Sequence, residues 1–177
     1  MKKVLIFLTI FFVAPMFGQS KMVVGQNHTI FVEIPKNWLQ AQNDQLPFFI
    51  KPDKKDVSSE TYMYVYGIDY SSKPHLDEWI KGNNEYISEK FKGVKIDTLE
   101  YKFDNIKSGD YLTGDYQTIT YQYPNERCEV ILVIECKNTI VTAVLSTKEE
   151  AELKELLPSF VELSKTLKIL GTTLKED

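Results

Sequence analysis

Few residues in this chain are of the types that do chemistry. Histidine occurs only as His28 and His75. Neither a His-x-x-His nor a His-Glu-x-x-His spacing is present, so the arrangement that presents two imidazoles to zinc on one helix face is missing. His75 stands close to Ser71, Ser72 and Asp77, the one local set of hydroxyl, imidazole and carboxylate that a hydrolase would use. No Gly-x-Ser-x-Gly elbow or oxyanion loop accompanies it. The same stretch reads as a helix start with an exposed imidazole at the cap, and that reading is preferred. Acids are plentiful but scattered. Asp53, Asp56 and Glu60, or Asp104 and Asp110, do not follow the Asp-x-Asp-x-Asp-Gly calcium loop and read as solvated loop charges. No glycine-rich phosphate loop is present either. The sequence therefore assigns no catalytic residue, no metal ligand and no cofactor.

Cys128 and Cys136 lie eight residues apart in one expected strand. They share a face but stand about 26 Å apart at roughly 3.3 Å per residue. A disulfide needs α-carbons within about 7 Å. The preferred reading is two free thiols; a wrong strand assignment or pairing between chains are the alternatives. The spacing is too wide for a Cys-x-x-Cys redox pair.

The remaining candidates are aromatic. Tyr62, Tyr64 and Tyr66 share one face of a strand, Tyr121 and Tyr123 share a face of another, and Trp38 sits in a turn. Tyrosine joins an apolar ring to a hydroxyl and suits both a sheet beneath a helix and a recognition surface. Both readings stay open: these six rings are core, or they line a ligand or partner groove that the helices leave uncovered.

The elements that carry these residues follow from periodicity. His28 to Ile34 alternates as a strand ended by Pro35, and Pro35-Lys36-Asn37 turns the chain into Trp38. Pro47 to Ile50 is a short apolar piece, followed by a charged loop from Pro52 to Glu60. Thr61 to Ile68 is apolar on both faces, as expected inside a sheet. Ser71, Ser72, Pro74, Asp77 and Glu78 open a helix whose stripe is Leu76, Trp79, Ile80, Asn83, Tyr86, Ile87 and Phe91, closed by Gly93. From Val94 the period returns to two, with Leu99, Tyr101 and Phe103 on one face. Three strands then follow through short turns: one ending at Tyr123, Cys128 to Cys136, and Ile140 to Thr147. They form an antiparallel meander. A final amphipathic helix runs from Lys148 to about Ile169 on Leu153, Leu156, Leu157, Phe160, Leu163 and Leu167. Pro158 inside it predicts a kink or restart near Leu157. Gly171 ends the helix, and a mostly polar tail follows.

This order of elements, with Pro35-Lys36-Asn37-Trp38 after the first strand, Leu156-Leu157-Pro158-Ser159-Phe160 and Ser164-Lys165-Thr166-Leu167-Lys168 in the final helix, resembles the PsbP/DcrB-like superfamily. The resemblance covers most of residues 25 to 170. It implies an α+β fold in which an antiparallel β-sheet is flanked by helices as an α/β/α sandwich. It also implies a binding or accessory role of the kind many exported or lumenal members have, and brings no shared catalytic residues.

Composition places the chain. With 43% apolar and 26% charged residues and no low-complexity linker, it reads as one globular domain. Residues 1–18 differ from the rest: Lys2 and Lys3 precede a 14-residue, almost unbroken apolar run from Val4 to Phe17, then Gly18, Gln19 and Ser20. This is the pattern of a secretory signal peptide, too short for the roughly 20 residues of a membrane span. Cleavage is expected after Gly18, with Ser20 as the other small residue available, leaving residues 19–177 as a single PsbP-like domain without a membrane span. A periplasmic or secreted location follows. Loss of Lys2 and Lys3 takes the formal charge from −4 to −6, and Arg127 is the only arginine, so nucleic acid is not an expected partner. The function read from the sequence is an exported, non-enzymatic binding or accessory module acting on a protein or envelope component. The competing readings are a hydrolase built on Ser72, His75 and Asp77, and a carrier of an apolar ligand.

Overall fold

A computed structural model describes residues 19–55 and 57–172; the expected signal peptide, Asp56 and the last five residues lie outside the described residues. Two strands, β8 (Cys128–Cys136) and β9 (Thr139–Thr147), hold the centre. Every residue of both is buried, which is why their sequences run as almost continuous β-branched and aliphatic stretches. Around them a seven-stranded antiparallel sheet forms in the order β3-β4-β5-β9-β8-β7-β6. Its remaining members are β3 (Trp38–Gln40), β4 (Phe48–Pro52), β5 (Tyr62–Asp69), β6 (Lys95–Leu99) and β7 (Leu112–Gln122). The expected meander is present as β7-β8-β9, with Ile131 opposite Ile119 on one side and Val144 on the other.

Alternation along β8 splits the core in two. Val130, Leu132, Ile134 and Cys136 face helix α2 (Glu150–Thr166), packing with Leu156, Phe160 and Leu163. Ile131 and Val133 face helix α1 (Leu76–Lys90) and pack with Leu76 and Ile80. A helix thus covers each face of the sheet, giving the α/β/α sandwich. On the α2 side a second, three-stranded sheet completes the layer in the order β1-β2-β10, from β1 (Ser20–Val24), β2 (His28–Glu33) and β10 (Lys168–Gly171). Val23, Ile30, Val32 and Ile169 turn inward from it to the same core as α2.

Several elements differ from expectation. The final helix stops at Thr166, and Lys168–Gly171 pairs antiparallel with β2, Ile169 lying opposite Ile30. Leu163, Leu167 and Leu170 fit a helical stripe, but Leu167 and Ile169 also satisfy period two, and tertiary pairing decides. Pro158 sits inside α2 without a restart. A proline there costs about 3 kcal/mol, and complete burial of Phe160 and Leu163 on the following turn offsets it. β6 ends at Leu99, and residues 100–111 form an irregular loop. Phe103 and Ile106 reach the α2-side core from it, reproducing an apolar alternation without a strand. Tyr86 is exposed rather than part of the buried stripe of α1.

Candidate functional site

The six aromatic residues picked out above do not converge. In the turn Asn37 has φ 65°, and Trp38, whose N–H donates to the Pro35 carbonyl at 3.2 Å, closes that turn and opens β3. Its ring is 5% exposed and packs in the α2-side core with Ile34, Phe48 and Ile50. Tyr121 and Tyr123 are 1% and 3% exposed beneath α1. Tyr121 accepts a hydrogen bond from Asn83 at 2.9 Å and donates one to Asn84 at 2.6 Å, and burial pushes its phenol up to about 12. Tyr123 donates to Glu129 at 2.6 Å. These three rings are buried. They lie where a helix or the core covers them, so they form no open groove.

Tyr62, Tyr64 and Tyr66 are different. They project from β5 on the face that carries α1; Tyr64 packs at the edge of the cluster beneath that helix, whereas Tyr62, Tyr66 and every residue of β3 and β4 lie outside it. The three rings are half-buried and form a ladder with Phe49 of β4. Centroids lie 5.1 Å apart for Phe49 and Tyr62, 6.0 Å for Tyr62 and Tyr64, and 5.8 Å for Tyr64 and Tyr66, with neighbouring planes inclined by 29–37°. Such offset packing is favourable for π-systems and fixes the rings as a platform. Leu39, opposite Lys51, and Ile68 extend the same face and are 54% and 38% exposed. The Lys51 ammonium stands 6.0 Å from the Phe49 centroid at its rim.

Polar groups lie along one side of the ladder. Ser146 pairs with Tyr62 and Thr142 with Tyr66 across the β5–β9 ladder, and the hydroxyls of both are buried with no hydrogen-bond partner among the described residues. Glu129 follows Ser146 in the same cross-strand row. Its carboxylate takes the Tyr123 hydroxyl and the Arg127 guanidinium, 3.3 Å away, while that guanidinium lies 4.0 Å from the Tyr123 ring centroid. Burial, then the Glu129 charge, drives the Tyr64 phenol strongly upward, so it stays protonated as a donor. The platform can stack on planar or apolar groups and hydrogen-bond through phenol hydroxyls. It holds no nucleophile paired with a base.

The other candidate sets are dispersed. Ser72, His75 and Asp77 are all exposed, and His75 occupies the α1 N-cap position without a side-chain cap bond. No hydrogen bond joins these three side chains among the described residues, so the nucleophile–base contact of a hydrolase is not formed. Among the described residues no three His, Cys, Asp or Glu side chains converge to hold a metal ion. The grooves are surface features; one of about 610 Å³ runs past Gln19, Glu33, Trp38, Asp53 and Glu162.

Sequence reasoning missed a second polar cluster. His28, at the start of β2, is buried and contacts Asp69 through Nδ1 at 2.8 Å. Asp69 ends β5 and also accepts hydrogen bonds from the Thr139 hydroxyl and the backbone N–H groups of Gln26 and Asn27. Tyr111 donates to Asn138 at 2.8 Å and lies 2.6 Å from the Thr139 hydroxyl. The imidazole fits because Gly25 and Gly67 flank it: a Cβ at either would fall 2.1 or 2.4 Å from a ring atom. One carboxylate thus fastens the β1–β2 turn, and the small sheet with it, onto the large one. Nothing in the sequence links His28 to Gly67 or Asp69, which lie 39 and 41 residues away.

Among solved structures, the solution structure of cyanobacterial PsbP (CyanoP) from Synechocystis sp. PCC 6803 superposes with a TM-score of 0.57, covering 89% of this chain and 95% of that one. The fold is PsbP-like. Sequence identity is 13%, so the likeness is one of fold. No protein-family model and no curated protein sequence matches the chain. Within this PsbP-like fold, no helix of the described residues is long and apolar enough to cross a membrane.

Proposed function

We propose that this chain is an exported accessory module that binds a protein or envelope component through the tyrosine ladder of β5. In this reading residues 1–18 direct export and are removed, and residues 19–177 act as one domain in the periplasm or outside the cell. The observation that carries it is the part of the sheet face beyond α1, where half-buried Tyr62, Tyr64 and Tyr66 stack in a row beside buried Phe49 and are extended by exposed Leu39 and Ile68. Rigid tyrosines lose little conformational entropy on binding and are frequent binding hot spots, which makes a preformed row of them suited to recognition. The implied accessory role of the PsbP resemblance supports the same reading.

The test is capture from the native envelope fraction by the exported protein, comparing wild type with a Tyr62→Ala/Tyr66→Ala double variant. The expected result is one or more partners retained by wild type and lost from the variant at unchanged fold by circular dichroism. Identical capture by both would remove the ladder from the proposal.

A further inference from the structure

We infer that the mature chain begins with a pyroglutamate formed from Gln19. This rests on the proposed cleavage after Gly18 and adds a covalent modification that the proposed function does not contain. β1 begins at Ser20, which pairs with Glu33, and beyond that pair the Ile34 N–H donates to the Gln19 carbonyl at 3.1 Å. That carbonyl is the last atom of the chain start held by this bond. The α-nitrogen, Cα, Cβ, Cγ and Cδ that make up the lactam all lie on its N-terminal side, so ring closure removes nothing from the sheet. Gln19 is exposed, and its side chain is free of the core.

In the ring closure the neutral α-amine attacks Cδ of its own side-chain amide. The new N–Cδ bond replaces the Cδ–NH2 bond, one amine proton passes to the departing nitrogen, and ammonia leaves. Oxidation states do not change and no co-reactant is required. The reaction is intramolecular through a five-membered ring, and an α-amine with a pKa of about 8 is partly neutral near pH 7. The alternative cut after Ser20 would delete the first residue of β1 and the Gln19–Ile34 bond, and would start the chain at Lys21, which cannot cyclise. The cut after Gly18 is thus the one that both keeps the whole of β1 and exposes glutamine. Cyclisation removes the terminal positive charge, so the groove bordered by Gln19, Glu33, Lys36, Asp53 and Glu162 loses the α-ammonium from its rim and keeps that of Lys36.

The full 177-residue chain is expressed with its leader, and the exported product is digested with a protease that cuts after glutamate, yielding the peptide that ends at Glu33. The expected peptide starts at residue 19, is lighter by one ammonia than the Gln-initiated sequence, and loses its first residue only to pyroglutamyl aminopeptidase. A Gln19→Ala variant separates this loss from ammonia loss at Asn27, because its peptide must show none. An unmodified Gln19, or an ammonia loss that persists in Gln19→Ala, overturns the ring and leaves the cleavage reading standing. A peptide that extends upstream of residue 19 or begins at Lys21 overturns the cleavage reading itself.

Discussion

Asp69 accepts two hydrogen bonds at each carboxylate oxygen, from His28 and Thr139 at one and from Gln26 and Asn27 at the other. Burial alone would raise its pKa, but the bonds from Thr139, His28 and Asn27 outweigh burial and hold it below the usual carboxylate value. The unfolded chain therefore takes up the proton first as pH falls. Its stabilising contribution is complete above the unfolded pKa of about 3.9 and is lost as pH drops through the lower folded value. Asp69→Asn keeps one acceptor oxygen but places an amide where donors converge. It is expected to lower stability by about 2 kcal/mol at pH 7, the scale of hydrogen bonds to a charged group. The loss should shrink as pH falls below about 4, where the wild-type carboxylate is itself neutralised. Urea denaturation of both proteins from pH 7 to pH 3 measures it, and a pH-independent difference would refute the assignment. None of this was legible beforehand. His28 carries no local partner in the sequence, and a contact across 41 residues with Asp69 is created only by the stacking of the two sheets.

Helix α1 gives the same lesson at the scale of elements. Its start was read from Ser71, Ser72, Pro74, Asp77 and Glu78, and it does begin at Leu76, yet none of the expected side chains caps it. The cap comes from β8: the Leu76 N–H donates to Glu135 at 2.8 Å, and the Lys73 ammonium stands 3.0 Å from the other carboxylate oxygen. These contacts outweigh the burial of Glu135 and keep its carboxyl below the ordinary range. Glu135→Ala is expected to cost about 1–3 kcal/mol and to speed amide exchange in the first turn of α1, with β8 itself protected; Glu135→Gln, which retains an acceptor, should recover part of the loss. Equal exchange in all three proteins would rule out capping from the strand. Strong periodicity made β2, β5, the β7–β9 meander and both helices readable. β1 and β10 were not, because β1 abuts the apolar run of residues 4–17 and β10 continues the leucine stripe of α2. The ladder on β5 was readable as a row of three tyrosines, whereas which half of the sheet α1 leaves open depends on where the helix crosses the strands.

For the molecule as a whole, β8 is the keystone, and its two ends carry the thiols that report on it. Cys128 and Cys136 are free and buried at opposite ends of a strand flanked on both edges by β7 and β9. Burial, then the charges of Glu135 and Asp69, pushes the Cys136 thiol up to about 12; burial and then Glu150 raise that of Cys128. Both are thus short of thiolate as well as of access, and the thiolate is the species that reacts. Exposing either end requires separating β8 from its neighbours, which opens both halves of the core at once. A disulfide reagent is expected to modify neither cysteine readily in the native protein and both in denaturant. At intermediate urea the two should be labelled at one common rate that rises with denaturant as global unfolding does. Labelling at Cys128 that is fast in water and insensitive to urea would mean that this end of β8 frays on its own, and the two-layer core would then unfold in parts.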